Sequence, residues 1–134
     1  MSRVRMLFLA VALTGCHVGK GVEDFAPATR PEGIEARVVT RNGGRIVGEL
    51  LAVEDSGLLI RTVKSFVFVP YGQIRQGRFP VSGAPGALDD GRRPGNELER
   101  WLRLLSRYPQ GVDGDLLERL LAAYGFEEVE RLDR

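Results

Sequence analysis

The stretch IEARVVTRNGGRIVGELLAVEDSGLLIRTVKSFVFVPYGQIRQGRF, residues 34–79, decides the fold. It is rich in β-branched and aromatic residues, and turn-forming residues interrupt it at short intervals, the pattern of several short strands. The first strand is expected over Ile34 to Arg41, and Asn42-Gly43 is a hairpin signal because both residues accept positive φ. A second strand over Arg45 to Glu54 turns at Asp55-Ser56-Gly57 into a third over Leu58 to Val63. A tight turn near Lys64-Ser65 leads to a fourth, Phe66 to Val69. Pro70-Tyr71-Gly72 then breaks the ladder before a fifth, Ile74 to Phe79.

Strict alternation puts Ile46, Gly48, Leu50 and Ala52 on one face of the second strand and Val47, Glu49, Leu51 and Val53 on the other. Both faces are partly apolar, so this strand is expected to bend or to be covered on both sides, with Gly48 the cheapest place for a bend. Five such strands in so short a segment suggest a small barrel. Gly44-Arg45-Ile46-Val47-Gly48-Glu49-Leu50, followed by Asp55, Leu58 and Ile60, resembles the first motif of the Sm-like and SH3-like small barrels, and Val69-Pro70-Tyr71-Gly72-Gln73-Ile74 resembles their short turn into the last strand. The resemblance implies a five-stranded barrel and leaves open a homo-oligomer formed through the last two strands. Leu59 stands where the RNA-binding members carry a base-contacting asparagine, and Pro70-Tyr71 replaces their Arg-Gly, which speaks against nucleic acid as a partner.

Residues 80–95, PVSGAPGALDDGRRPG, read as a proline- and glycine-rich linker or an excursion over the barrel. Two amphipathic helices are expected in the tail, 96–134. In the first, Asn96 and Glu99 have the spacing of a capping box, and Leu98, Trp101, Leu102 and Leu105 form one apolar stripe. Tyr108-Pro109-Gln110-Gly111 ends it. Asp113 is suited to cap the second, which carries Leu116, Leu117, Leu120, Leu121 and Tyr124 and stops at Gly125. Phe126 to Leu132 is expected to add a helical turn. Helices of about ten residues are marginal alone, so both must pack on each other, on the barrel or on a partner.

The amino-terminal end has a different character. Arg3 and Arg5 precede an apolar run from Met6 to about Leu13, the arrangement of an export signal, and the run is too short to cross a bilayer as a permanent helix. It ends in Leu13-Thr14-Gly15-Cys16, which resembles the lipobox of bacterial lipoproteins. The resemblance implies removal of a signal peptide, 1–15, lipidation of Cys16, and a tether, 16–33, carrying Pro27 and Pro31. A doubly or triply acylated cysteine holds a protein stably on a membrane. His17 in the next position, in place of the aspartate that favours inner-membrane retention, points to the outer membrane if the cell is Gram-negative.

Beyond Cys16 there is no cysteine, so no disulfide staples the fold, and the sole histidine, His17, lies beside the lipidation site. The domain therefore offers no Ser-His or Cys-His nucleophile pair and no zinc-type cluster. Asp113-Gly114-Asp115 and Asp89-Asp90 lack the further ligands of a calcium loop. Glu49 with Glu54 or Asp55 could pair for glycoside hydrolysis, but exposed acids balancing nearby arginines are the simpler expectation. Trp101, Tyr108 and Tyr124 are expected in the core. Arg92, Arg93, Arg100, Arg103 and Arg107 are the densest basic run, expected as a solvated helix face and alternatively as a surface toward anionic lipid or a partner.

Removing the two signal arginines leaves 17 basic against 18 acidic residues, a near-neutral balance without a general nucleic-acid signature. The sequence thus points to a membrane-anchored envelope lipoprotein with no catalytic residues, cofactor or metal, acting as an interaction or assembly module on another envelope protein. The competing expectation is a cytoplasmic Sm-like nucleic-acid binder.

Overall fold

The computed structural model describes residues 32–132. Seven strands and two helices follow one another: β1 (Glu35–Thr40), β2 (Arg45–Val53), β3 (Gly57–Arg61), β4 (Phe66–Pro70), β5 (Ile74–Arg78), β6 (Leu88–Asp89), α1 (Asn96–Leu105), α2 (Gly114–Tyr124) and β7 (Val129–Arg131). They make a mainly β fold with two C-terminal helices. The strands join in one open sheet ordered β6-β5-β1-β2-β3-β4-β7, antiparallel throughout except for the parallel β4–β7 pair. The five expected strands are present to within two residues. The count is seven because Leu88–Asp89 in the proline-rich segment pairs with β5 and Val129–Arg131 pairs with β4. The second of these corrects the helical turn expected over Phe126 to Leu132. Val129 lies beside Phe66 in register, and Leu132 N–H donates to the Phe68 carbonyl, so a strand partner was available where a further turn had none.

The β1–β2 hairpin turns differently from the expectation for Asn42-Gly43. Gly43 alone has positive φ, at 86°, and its N–H donates to the Thr40 carbonyl while Thr40 N–H donates to Gly44. A type I turn followed by a left-handed glycine closes the hairpin, so Asn42 keeps ordinary φ. Its side chain instead accepts from the Thr40 hydroxyl and the Gly44 N–H.

The alternation of β2 breaks at Leu51. Leu50 pairs with Ile60 and Ala52 with Leu59, so Leu51 is an extra residue, a β-bulge. Beyond it the parity of the strand reverses. Ile46, Leu50 and Val53 pack in one apolar cluster, and Leu51 and Ala52 in another. This corrects the strict alternation, which put Ala52 with Leu50 and Val53 with Leu51. Gly48 is still a tight place, because a Cβ there would lie 2.1 Å from the Arg61 carbonyl oxygen.

Two cores follow from the two faces. The inner face of the sheet, with Ala36, Val38, Leu50, Ile60, Val69 and Ile74, is covered by Leu98 and Leu102 of α1 and by Leu88. On the outer face, Leu51, Leu59 and Phe66 are covered by α2 through Leu116, Leu117, Leu120 and Tyr124. Phe66 is fully buried between the Tyr124 and Phe126 rings at centroid distances of 5.4 and 5.2 Å, both edge-on. Trp101 packs in the inner cluster and Tyr108 in the outer, as their helical spacing suggested.

The helix termini divide. Asp113 caps α2, its Oδ1 accepting from Leu116 N–H at 2.7 Å, and Gly125 ends that helix at φ 72°. The capping box expected for α1 does not form. Gly95 is the N-cap, and Glu99 instead accepts from Arg103 and Arg93 side chains. An arginine one turn on competes successfully for the carboxylate because that bond is charge-assisted.

Gly48→Ala should lower stability by about 2–3 kcal/mol, since the close contact is backbone oxygen that cannot swing away. Gly72→Ala, with nothing within 4 Å of the added Cβ, should change it by less than about 0.5 kcal/mol. Urea unfolding of the two variants checks the difference.

Candidate functional site

Cys16, the expected lipid attachment point, lies outside the described residues, together with the signal stretch 1–15, His17 and nearly all of the tether. Within 32–132, the polar side chains gather in three places.

The first is buried. Glu49, outward-facing on β2, is 8% exposed, which corrects its reading as a solvated acid. Its Oε2 accepts from Arg61 Nε at 2.8 Å, and its Oε1 accepts from Gly33 N–H at 2.8 Å and from Arg107 Nη1 at 3.3 Å. Arg107 Nη1 also donates to the Tyr124 hydroxyl at 3.1 Å, while the Arg61 guanidinium lies 5.0 Å from the Tyr124 ring centroid. Burial opposes the charge on Arg107, but Glu49 and the two tyrosines beside it outweigh this and hold its pKa above the usual arginine value. Both carboxylate oxygens of Glu49 are engaged. The cluster ties β2, β3, the segment after α1 and the end of α2 together.

The second grouping closes the inner core. Arg103 donates to Glu99 Oε1 from Nη2 at 2.8 Å and to the Val53 carbonyl from Nη1 at 2.6 Å, with Arg93 3.5 Å from the same carboxylate. Those arginines hold Glu99 below its ordinary pKa of 4.5, the Arg103 hydrogen bond contributing most. Tyr71 donates to the Glu54 carbonyl at 2.9 Å, and burial, reinforced by the Glu99 charge, pushes its pKa up to about 12. The Glu54 carboxylate accepts from Val112 N–H at 3.3 Å. Glu49 is thus engaged by arginines and Glu54 by one backbone N–H, and no group of three potential metal ligands occurs among the described residues.

The third grouping is exposed and was not anticipated. Toward β1 and β5, α2 no longer covers the outer face of the sheet. Arg37, Arg45, Arg75 and Arg78 line a depression of about 460 Å³ there with Val38, Val39, Gly43, Val47 and Gln76, and among the described residues no carboxylate lines it. All four arginines are exposed and Val47 is 53% exposed. Arg37 stands directly opposite Arg78 in the β1–β5 register. Like charges so placed destabilise a sheet. Glu35 offsets only Arg37, with its Oε1 2.5 Å from Arg37 Nε, and Asp89 sits at the rim opposite Gln76.

The dense helical arginines do not make this surface. Arg103 and Arg107 are drawn into the ion pairs above, and Arg93 pairs with Glu99 and Asp55. A signal for the strand face was nevertheless present: between Asp55 and Asp89 the chain has no carboxylate but carries Arg61, Lys64, Arg75 and Arg78, and between Glu35 and Glu49 it carries Arg37, Arg41 and Arg45 unopposed. Comparison with protein-family models, curated proteins and solved structures finds no match to this chain.

Glu49→Ala leaves two partly buried guanidiniums without their shared acceptor and should cost about 2–4 kcal/mol, toward the lower end because both arginines are about a quarter exposed. The Glu99 contribution has a pH signature. A carboxyl whose pKa folding lowers stabilises fully above its ordinary value and loses that contribution as pH falls through it. The gap in urea midpoint between the native chain and Glu99→Gln should be widest near neutrality and close as pH drops below 4.5. A gap independent of pH would show that the Arg103 pair contributes no net stability.

Proposed function

We propose that this chain is a bacterial envelope lipoprotein, anchored through lipid on Cys16, whose folded domain is a non-catalytic interaction module. The observation that carries the reading is Leu13-Thr14-Gly15-Cys16, placed directly after a short apolar run with Arg3 and Arg5 ahead of it. Export in that form is consistent with a domain whose described part has no cysteine and is held by two apolar cores. His17 favours the outer membrane in a Gram-negative cell. The finer fold assignment, a small barrel of the Sm-like or SH3-like kind, is supported by the β5-β1-β2-β3-β4 order, the long bulged β2 and the 3-10 turn Tyr71–Gln73 between β4 and β5.

Two ways for such a domain to engage a protein partner are weakened by its own packing. The leucine faces of α1 and α2 are turned onto the sheet, and the edges of β5 and β4 are paired with β6 and β7. Those are the edges an Sm-type ring would use, so the domain is proposed to work as a single copy. Light scattering of the chain from residue 16 onward should give a monomer mass, and a ring-sized mass would contradict this.

The anchor is tested by expressing the full chain in a bacterium fed an alkyne palmitate analogue, beside Cys16→Ser. Labelling of the native chain only, with loss of residues 1–15 from its mass, is the expected result. An unlabelled chain of intact mass would overturn the envelope reading.

A further inference from the structure

We infer that the arginine-bearing half of the outer sheet face is a docking surface for the phosphate headgroups of an anionic phospholipid bilayer. The inference rests on the lipid-anchor reading for its setting, and on the sheet geometry for its substance.

Strand partners lie about 5 Å apart, so Arg37 and Arg78 hold two cations side by side, with Glu35 paired to Arg37 and Asp89 lining an adjoining depression with both. Arg45 and Arg75 add two more around the depression of about 460 Å³. A surface presenting many phosphates relieves the repulsion at every arginine. The rest of the molecule is polarised in the opposite sense. On α2 and just beyond it, Asp113, Asp115, Glu118, Glu127 and Glu128 stand against Arg119, while Glu130 neighbours Arg131 in β7 and lines a depression with Arg45 and Val47. A domain with basic strands at one side and an acidic helical end orients in the field of an anionic membrane.

Two observations choose lipid over nucleic acid. Among the described residues no aromatic side chain lines the depression to stack a base, and the nearest, Phe79, belongs to the adjoining one; single-strand binders use several. The chain also enters the fold at Ile34, three residues from Arg37 and so about 10 Å along a strand. Whatever its conformation, the stretch 17–33 spans at most about 60 Å, so a lipid on Cys16 confines the arginines close to the bilayer. Val47, half exposed among them, can enter the headgroup layer without desolvating a polar group.

The test uses the chain from residue 16 to 134 with Cys16→Ser, which has every described residue and no lipid. It is floated with vesicles of phosphatidylcholine alone and of phosphatidylcholine with phosphatidylglycerol. Each basic residue at an anionic surface strengthens binding about fivefold, so the anionic vesicles should be preferred by at least about tenfold, and added salt should abolish the preference. Arg45→Glu with Arg78→Glu should remove it without lowering the melting temperature, since Glu at 78 would face Arg37. Arg45→Gln with Arg78→Gln should weaken it, and Arg100→Glu on the exposed side of α1 should leave it intact.

Equal binding to both vesicles, a preference that survives the charge reversals, or tighter binding to a single-stranded RNA oligonucleotide than to the anionic vesicles would overturn the proposal. Because this chain lacks the lipid, a negative result here counts against the docking face alone. A failure of palmitate labelling counts against the anchor alone.

Discussion

The extra residue at Leu51 is the constraint from which the rest of the molecule follows. A bulge in β2 takes the Leu50 and Leu51 carbonyls out of regular pairing, and the chain after α1 supplies their donors, Arg107 N–H at 3.0 Å and Tyr108 N–H at 2.8 Å. Buried carbonyls need such partners. These two bonds fix where α1 ends and carry the chain from the inner face of the sheet to the outer one. The parity reversal at the same point turns Val53 inward to meet α1 and Ala52 outward to meet α2. One inserted residue thus sets both cores and the crossing between them.

The crossing also determines where charge collects. Arg107, held by its backbone at the bulge, brings its guanidinium to Glu49, and Arg61 reaches the same carboxylate from β3. This buried cluster marks the boundary of α2's cover. On one side of it lie leucines and aromatic rings, and on the other no described helix covers the sheet, which is basic there. A helix of eleven residues is about 16 Å long and crosses only a few strands, so part of a seven-stranded sheet is left uncovered.

Much of the fold was legible because its signals are local. Turn residues at Asn42-Gly43-Gly44 and Asp55-Ser56-Gly57 bracket β2, and helical spacing of leucines locates α1 and α2. What escaped was non-local. The bulge leaves no composition signal, because Leu50-Leu51-Ala52 is uniformly apolar and either parity buries it. The two outer strands are two and three residues long and exist only through β5 and β4. The burial of Glu49 depends on arginines 12 and 58 positions away. The arginine face escaped for a related reason. Its members lie on three strands and look sparse along the chain, whereas the helical run 92–107 looks dense and is largely neutralised in place.

On the proposed reading, a lipid on Cys16 is joined to a domain that presents one basic face. The central claim concerns orientation, and the most direct measurement is a polarity-sensitive fluorophore attached to Val47→Cys or Ala123→Cys, each in the chain 16–134 with Cys16→Ser, on anionic vesicles. Val47 sits among the arginines and Ala123 on the exposed side of α2. The account predicts a blue-shifted emission at position 47 when vesicles are added and none at position 123. A shift at 123 with none at 47 would contradict it, because the acidic helical side and not the arginine face would then meet the membrane.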